Sequence, residues 1–96
     1  MDFAITCVDK PGSLELRAAT REAHLGYLRA AGAALKLAGP MLDEQGRPIG
    51  SLLVIEAADE AGAQAFADED PYAKAGLFER VEIRPFKPVL GAWVEA

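Results

Sequence analysis

The only histidine of the chain, His24, lies in the stretch RAATREAHLGYLRAAG, residues 17–32. At 3.6 residues per turn, each residue of a helix advances about 100° around the axis. Glu15, Glu22 and Arg29 then form one charged edge, and His24 falls almost opposite it, on the face expected to be buried. An imidazole with an unperturbed pKa near 6.5 is well suited to proton transfer at neutral pH. His24 is therefore either a hydrogen-bonded core residue or the acid–base group of a site.

Two arginines share the face of this predicted helix that carries His24. Arg17 and Arg21 lie within about 60° of the histidine around the axis, and a dry core does not accommodate unpaired cations. Thr20 and Tyr27 are also near, so the face is typical of the wall of a cleft. Each arginine either extends to the rim of this cleft or binds an anionic group of a substrate.

The stretch ADEDPYAKAG, residues 67–76, places a carboxylate directly before a proline. Pro71 disfavours helix at Asp70 and suits the first position of a new short helical turn. Asp70 is then an N-cap, which needs one carboxylate oxygen, and the other oxygen is free to accept from an imidazole N–H. Tyr72 is either an aromatic plug or a ligand contact. Ser51, at the start of an apolar strand, is either structural or a hydroxyl in the same cleft.

The elements that would position these residues follow the order β-α-β-β-α-β, the ferredoxin-like split motif. This order predicts one α+β domain over residues 1–96, with a four-stranded antiparallel sheet and two helices on one face. The predicted elements are a strand at residues 3–8, a helix that Ser13 caps and Gly32 ends, a strand at residues 34–40 stopped by Pro40, a strand at residues 51–57, a helix that Asp59 caps, and a strand at residues 81–86.

Both faces of the predicted sheet carry apolar residues, although two helices cover only one of them. In the third strand, Leu52 and Val54 alternate with Leu53 and Ile55, so each pair occupies one face. An uncovered apolar face of four strands is larger than monomers usually expose. The simplest cover is a second copy related by twofold symmetry. We therefore expect a homodimer through the open sheet face, with either pair facing the partner.

Composition and motifs exclude several classes of function. The net charge of −5 argues against a nucleic-acid partner, which needs clustered Lys and Arg. No apolar run is long enough to span a membrane, and MDFAITCVDK lacks the basic start of a signal peptide, so we expect a cytoplasmic protein. One His and one Cys do not make an ordinary zinc site, and no phosphate-binding glycine motif occurs. The sequence predicts no metal and no cofactor, and Cys7 is expected to be a packing residue.

Four stretches together resemble the YCII-related (YciI-like) family: DKPGSLELRAATREAHLGYL, LAGPM, GSLLVIEA and FADEDPYAKAGLFERVEIRPFKPV. The resemblance extends from residue 3 to about residue 90, and the R-x-x-H-L and D-P-Y segments occur in the expected order. It implies a dimeric α+β barrel of ferredoxin-like subunits with a histidine and an aspartate in the active site, at the positions of His24 and Asp70. One relative removes chloride from a chlorinated hydroxyhydroquinone, and the wider superfamily includes muconolactone isomerase.

Three functions fit these residues. In a cofactor-free acid–base enzyme, His24 moves a proton on a small hydroxylated or anionic substrate, by elimination or isomerisation, while Asp70 holds the imidazole tautomer and stabilises the imidazolium. Alternatively, the same cleft binds or senses a small molecule without turnover, or the protein is a non-catalytic accessory dimer. A His24–Asp70 distance of about 3 Å beside an open cavity favours the first two. The candidate ligand-binding residues are Arg17, Arg21, Ser51, Pro71 and Tyr72.

Overall fold

The computed structural model, which describes residues 1–94, contains four strands and three α-helices. In chain order they are β1 (Asp2–Asp9), α1 (Leu14–Ala30), a 3-10 turn (Gly32–Ala34), β2 (Leu35–Leu42), β3 (Pro48–Glu56), α2 (Glu60–Glu69), α3 (Pro71–Lys74) and β4 (Phe78–Pro85). All strand pairs are antiparallel, in the order β2-β3-β1-β4. The ferredoxin-like fold is confirmed, with α3 as an added turn. Within the described residues, no helix is long and apolar enough to cross a membrane.

One face of the sheet carries the helices and the hydrophobic core. On β1, Phe3, Ile5 and Cys7 alternate inward and are at most 3% exposed. Burying a phenylalanine or isoleucine side chain to this extent contributes about 1.5–3 kcal/mol to stability, so β1 is a principal source of the packing energy. The other buried members of this core are Leu53 and Ile55 from β3, Leu28 from α1, and Ala63 and Ala67 from α2.

The opposite face of the sheet has no helix of the described chain packed on it. Ala4 pairs with Val54, and Thr6 pairs with Leu52, and paired residues of an antiparallel ladder point to the same face. Leu52 is 37% exposed there. The two apolar pairs of β3 thus lie on opposite faces, with Leu53 and Ile55 in the core and Leu52 and Val54 on the other face, where Val54 is only 6% exposed. Strand β4 contributes charged residues to this face, which are Arg80, Glu82 and Arg84.

The start of α1 differs from the predicted cap, whereas its end agrees with the prediction. Ser13 occupies the N-cap position, but its side chain makes no capping hydrogen bond. Its backbone carbonyl accepts from the N–H of Arg17 at 2.9 Å, so the first turn closes without the hydroxyl. The helix ends at Ala30 with Ala31 as its C-cap, and Gly32 follows with φ of 59°, the left-handed conformation that glycine adopts after a C-cap, so the predicted end is confirmed.

Proline does not stop the second strand. Strand β2 continues through Pro40, which pairs with Ser51, and ends at Leu42. Because β2 lies at the edge of the sheet, a residue there can lack a backbone N–H without removing a bond from the interior of the ladder. Strands β3 and β4 also begin before the predicted residues 51 and 81 and end one residue before the predicted 57 and 86, at Pro48–Glu56 and Phe78–Pro85.

Candidate active site

A histidine from the inner face of α1 meets an aspartate at the start of α3. His24 is 7% exposed and Asp70 is 2% exposed. The Nδ1 atom of His24 lies 2.8 Å from Oδ1 of Asp70, which is an ordinary hydrogen-bond distance. Pro71 occupies the first position of α3 and thereby fixes the place where Asp70 ends α2 and begins the next turn. The predicted contact between the two residues is present.

A single carboxylate oxygen of Asp70 makes both predicted interactions. Oδ1 accepts the backbone N–H of Tyr72 at 2.9 Å and also bonds to the His24 ring, so the division between two oxygens expected from the sequence is wrong. An ionised carboxylate only accepts hydrogen bonds, so Nδ1 of His24 is the donor in this contact and Nε2 is the ring nitrogen left for another partner. Within residues 1–94, Nε2 makes no hydrogen bond, and His24 lines the adjoining cavity.

The ring of Tyr72 contacts both His24 and Arg17. Its ring stacks on His24 with 3.9 Å between centroids and an interplanar angle of 18°. The guanidinium carbon of Arg17 lies 4.6 Å from the same ring, close enough for a cation–π interaction. Burial raises the pKa of the Tyr72 phenol, although the charges of Arg17 and Arg21 oppose the shift. The residue is both an aromatic plug, at 1% exposure, and part of the cavity wall.

Arg17 is paired inside the protein instead of reaching the rim. Its Nε atom donates to Oδ2 of Asp9 at 2.7 Å, and its Nη2 atom donates to Oδ1 of Asp9 at 3.0 Å and to Oγ of Ser51 at 2.8 Å. Burial opposes the charge of Arg17, but the hydrogen bonds and the charge of Asp9 outweigh it and raise its pKa above the usual range. Arg17 is therefore neither exposed to solvent nor an unpaired cation.

Sequence reasoning missed Asp9 as a member of the site. The signal was present, because an acidic residue ends β1 immediately before the turn that leads to the arginine-bearing face of α1. The side chain of Asp9 is 6% exposed, and a carboxylate buried to this extent requires a charged or hydrogen-bonding partner. Arg17 supplies both.

Five predicted site residues line one cavity of about 330 Å³ between α1 and the neighbouring parts of β2 and β3. Arg21 is exposed and forms no ion pair within residues 1–94, so it provides the unpaired cation of this wall. Pro71 is half-buried, begins α3 and is not part of this lining, so its predicted ligand contact stays a prediction. The predicted residues that line the cavity are Arg17, Arg21, His24, Ser51 and Tyr72.

A second cavity of about 380 Å³ lies at the C-terminal end of α1. Its lining includes four alanines, Tyr27, Phe66 and Glu56, and it contains no histidine or arginine. The Tyr27 hydroxyl is already engaged, since it donates to the carbonyl of Phe66 at 2.8 Å. The two cavities are of similar size, but only the one beside β3 and α3 is lined by the histidine and the two arginines.

Nucleophilic and metal chemistry have little support in the described residues. Burial raises the pKa of the Cys7 thiol to about 12, with Asp70 adding to the shift and Arg17 opposing it. The thiol is therefore neutral near pH 7, whereas the thiolate is the nucleophile. Over residues 1–94, no group of three or more His, Cys, Asp or Glu side chains is arranged to hold a metal ion.

Comparison with known proteins identifies close relatives of the whole fold. A sequence model of the YCII-related domain matches residues 1–87. Protein YciI of Escherichia coli O6:H1 is 39% identical, over 93% of this chain and 99% of that protein. An uncharacterised protein of Haemophilus influenzae is 34% identical over the same shares. The structure of 5-chloro-2-hydroxyhydroquinone dehydrochlorinase from Burkholderia phenoliruptrix AC1100, in complex with 2,5-dihydroxybenzoquinone, is similar with a TM-score of 0.84, at 35% identity and over 91% of this chain and 94% of that one.

Proposed function

The chain belongs to the YCII-related family, and we propose that it is an acid–base enzyme that catalyses elimination or isomerisation of a small hydroxylated or anionic molecule. The observation that carries the proposal is the 2.8 Å bond between Nδ1 of His24 and Oδ1 of Asp70, because it leaves Nε2 available beside a cavity of about 330 Å³. The similarity to a dehydrochlorinase supports elimination as the type of reaction.

In this mechanism the base is Nε2 of His24. It removes a proton from the substrate, and the imidazolium that forms is stabilised by the carboxylate of Asp70, which also holds the ring in position. In an elimination, the leaving group departs with its bonding electron pair. In an isomerisation, the imidazolium returns the proton to a different atom of the same molecule. Proton transfer of this kind needs no cofactor.

The test is chloride release from 5-chloro-2-hydroxyhydroquinone, the compound in the name of the Burkholderia relative. We expect release by the unaltered protein and a decrease of about 10²–10⁴-fold in kcat for His24→Ala, the usual contribution of a general base. Asp70→Asn should also decrease kcat strongly, since it removes the charge that stabilises the imidazolium. Ser13→Ala is the matched control, because the Ser13 side chain makes no capping bond.

A second measurement detects proton transfer without a leaving group. The ring hydrogens of 2,5-dihydroxybenzoquinone should exchange with deuterated water faster in the presence of the protein, and His24→Ala should abolish this acceleration. If the unaltered protein neither releases chloride nor accelerates the exchange, elimination or isomerisation of this class of compound is rejected. Binding of either compound without turnover would instead indicate the alternative function, a small-molecule binding or sensing protein that uses the same cavity.

The proposal also includes a homodimer through the open sheet face. The support is the row of small and apolar residues on β1 and β3, where Leu52 is 37% exposed and pairs with Thr6. An accessory dimer without a ligand is the less supported alternative, since the His24–Asp70 pair adjoins a cavity rather than a filled core. Cytoplasmic localisation stays a prediction from the sequence.

A further inference from the structure

We propose that the Ser51 hydroxyl donates a hydrogen bond to an anionic or carbonyl oxygen of the ligand, and that Asp9 and Arg17 are positioning residues that aim this donor. The inference rests on the proposed function, since it requires a ligand in the cavity that His24 lines. It also deepens that function, because it specifies which atom of the ligand lies opposite the base.

The direction of the Ser51 hydroxyl follows from its partner. A hydroxyl has one proton and two lone pairs, whereas a guanidinium has donors and no acceptor. Because Nη2 of Arg17 donates to Oγ of Ser51 at 2.8 Å, the serine proton cannot be used in the same contact. Within residues 1–94, the Ser51 side chain makes no other hydrogen bond, and the residue is 3% exposed while lining the cavity.

The cross-strand neighbour does not compete strongly for this proton. Cys7 pairs with Ser51 in the β1–β3 ladder, so the two side chains share the helix-facing side. Burial keeps the Cys7 thiol protonated by raising its pKa to about 12, and a neutral thiol sulfur is a weak acceptor. An oxygen of a ligand in the cavity is the stronger acceptor, and the proton is directed there.

Asp9 and Arg17 fix the donor and increase its strength. Two bonds, of 2.7 and 3.0 Å, hold the guanidinium edge against the carboxylate of Asp9, and the Tyr72 ring lies 4.6 Å from the guanidinium carbon. Successive hydrogen bonds polarise one another, so the charge of Arg17 makes the Ser51 hydroxyl a better donor. Since Asp9 offsets the charge of Arg17, attraction of an anion from solution falls to the unpaired Arg21.

His24 as the base and Ser51 as the hydrogen-bond donor together define a class of substrate. When a C–H or O–H bond of the ligand breaks, the proton moves to Nε2 of His24 and the electron pair stays on the ligand, where it builds charge on a conjugated oxygen. A hydrogen bond from Ser51 stabilises that charge as it develops. The site therefore suits an enolisable ketone or a ring with an ionisable hydroxyl, and it does not suit a halogenated compound without such an oxygen.

The experiment uses 2,5-dihydroxybenzoquinone as the probe and follows its absorption spectrum in complex with the protein over a pH series. The unaltered protein should lower the pH at which the bound compound ionises. Ser51→Ala should reverse about one to two pH units of this shift, the amount expected for one hydrogen bond to a charged group. Ser51→Thr keeps a hydroxyl and should retain most of the shift, and Ser13→Ala should retain all of it.

A double-mutant cycle separates positioning from a general structural role. Asp9→Asn keeps the shape of the side chain but weakens the hold on Arg17, so we expect a partial loss of the ionisation shift. In the Ser51→Ala background, Asp9→Asn should cause no further loss, because the donor it acts through is already absent. If Asp9→Asn causes equal losses of the ionisation shift in both backgrounds, Asp9 does not act through Ser51, and its assignment as a positioning residue is overturned.

The outcomes distinguish this inference from the function on which it rests. An unchanged shift in Ser51→Ala overturns the inference, whereas the loss of deuterium exchange in His24→Ala would still support the enzyme. A shift that depends on Ser51 without any deuterium exchange or chloride release supports the inference and rejects the enzyme. Failure of the unaltered protein to bind the probe overturns both for this class of compound.

Discussion

Oδ1 of Asp70 serves two structural elements, since it accepts from the backbone of α3 and from the His24 ring of α1. The carboxylate of Asp59 provides a comparison, because it caps α2 through the N–H of Gly62 at 2.9 Å and makes no other side-chain bond within residues 1–94. Both residues are N-caps, but only Asp70 also holds a buried imidazole. The pair therefore separates the energy of capping from the energy of the contact with His24.

We expect Asp59→Ala to lower the free energy of unfolding by about 1 kcal/mol, the usual value of an N-cap. Asp70→Ala should lower it by about 2–4 kcal/mol, since it removes a cap and also leaves a buried N–H without a partner. Urea denaturation followed by circular dichroism measures both values. Equal costs would mean that the imidazole finds another partner or water in the variant, and that its contact with Asp70 adds nothing to stability.

At the scale of residues, sequence could predict what depends on local spacing. Helical periodicity placed His24 and Arg17 on one face, and the D-P-Y segment made Asp70 an N-cap. Their meeting followed from two helices packed on the same side of one sheet. The bond from Arg17 to Asp9 could not be predicted in this way, because it depends on how the end of β1 is oriented against α1. The sequence therefore did not show that Arg17 is already paired, and its contact with a ligand stays a prediction.

At the scale of elements, types and order could be predicted better than boundaries. Helix α2, Glu60–Glu69, agrees with its prediction because Asp59 caps it and Pro71 limits it. The predicted end of β2 at Pro40 was wrong. Whether a proline stops a strand depends on the place of that strand in the sheet, and an edge strand tolerates it. Gly50 shows another constraint that alternation does not reveal, because a Cβ there would overlap the carbonyl oxygen of Cys7.

At the scale of the whole molecule, the open face determines the expected assembly. Light scattering coupled to size exclusion should give about twice the chain mass of 10.2 kDa. Leu52→Lys should produce a folded monomer, because it places a charge on the face that the partner would cover. Leu16→Lys is the matched control, since Leu16 on α1 is 38% exposed and Leu52 is 37% exposed; it should stay dimeric.

Substitution of Leu53, on the helix-facing side of β3, should have a different effect from substitution of Leu52. Leu53 is 2% exposed within the core, so Leu53→Lys should unfold the chain rather than dissociate it, because an unpaired buried charge is very costly. Circular dichroism distinguishes the two effects. A monomeric unaltered protein at micromolar concentration, or a dimer that survives Leu52→Lys, would contradict the proposed interface.

Because Cys7 is buried, the rate at which its thiol reacts with a reagent measures how often the core opens. With one cysteine in the sequence and burial raising its pKa to about 12, an alkylating reagent near pH 7 can react only during moments when α1 or α2 lifts from the sheet. Labelling should then be on the order of 10³-fold slower than in urea, as expected for opening of a stable core, and mass spectrometry would count each event at a single atom. A ligand that bridges α1 and β3 should decrease the rate of Cys7 alkylation further. Ligands could therefore be screened by this decrease, without any knowledge of the reaction.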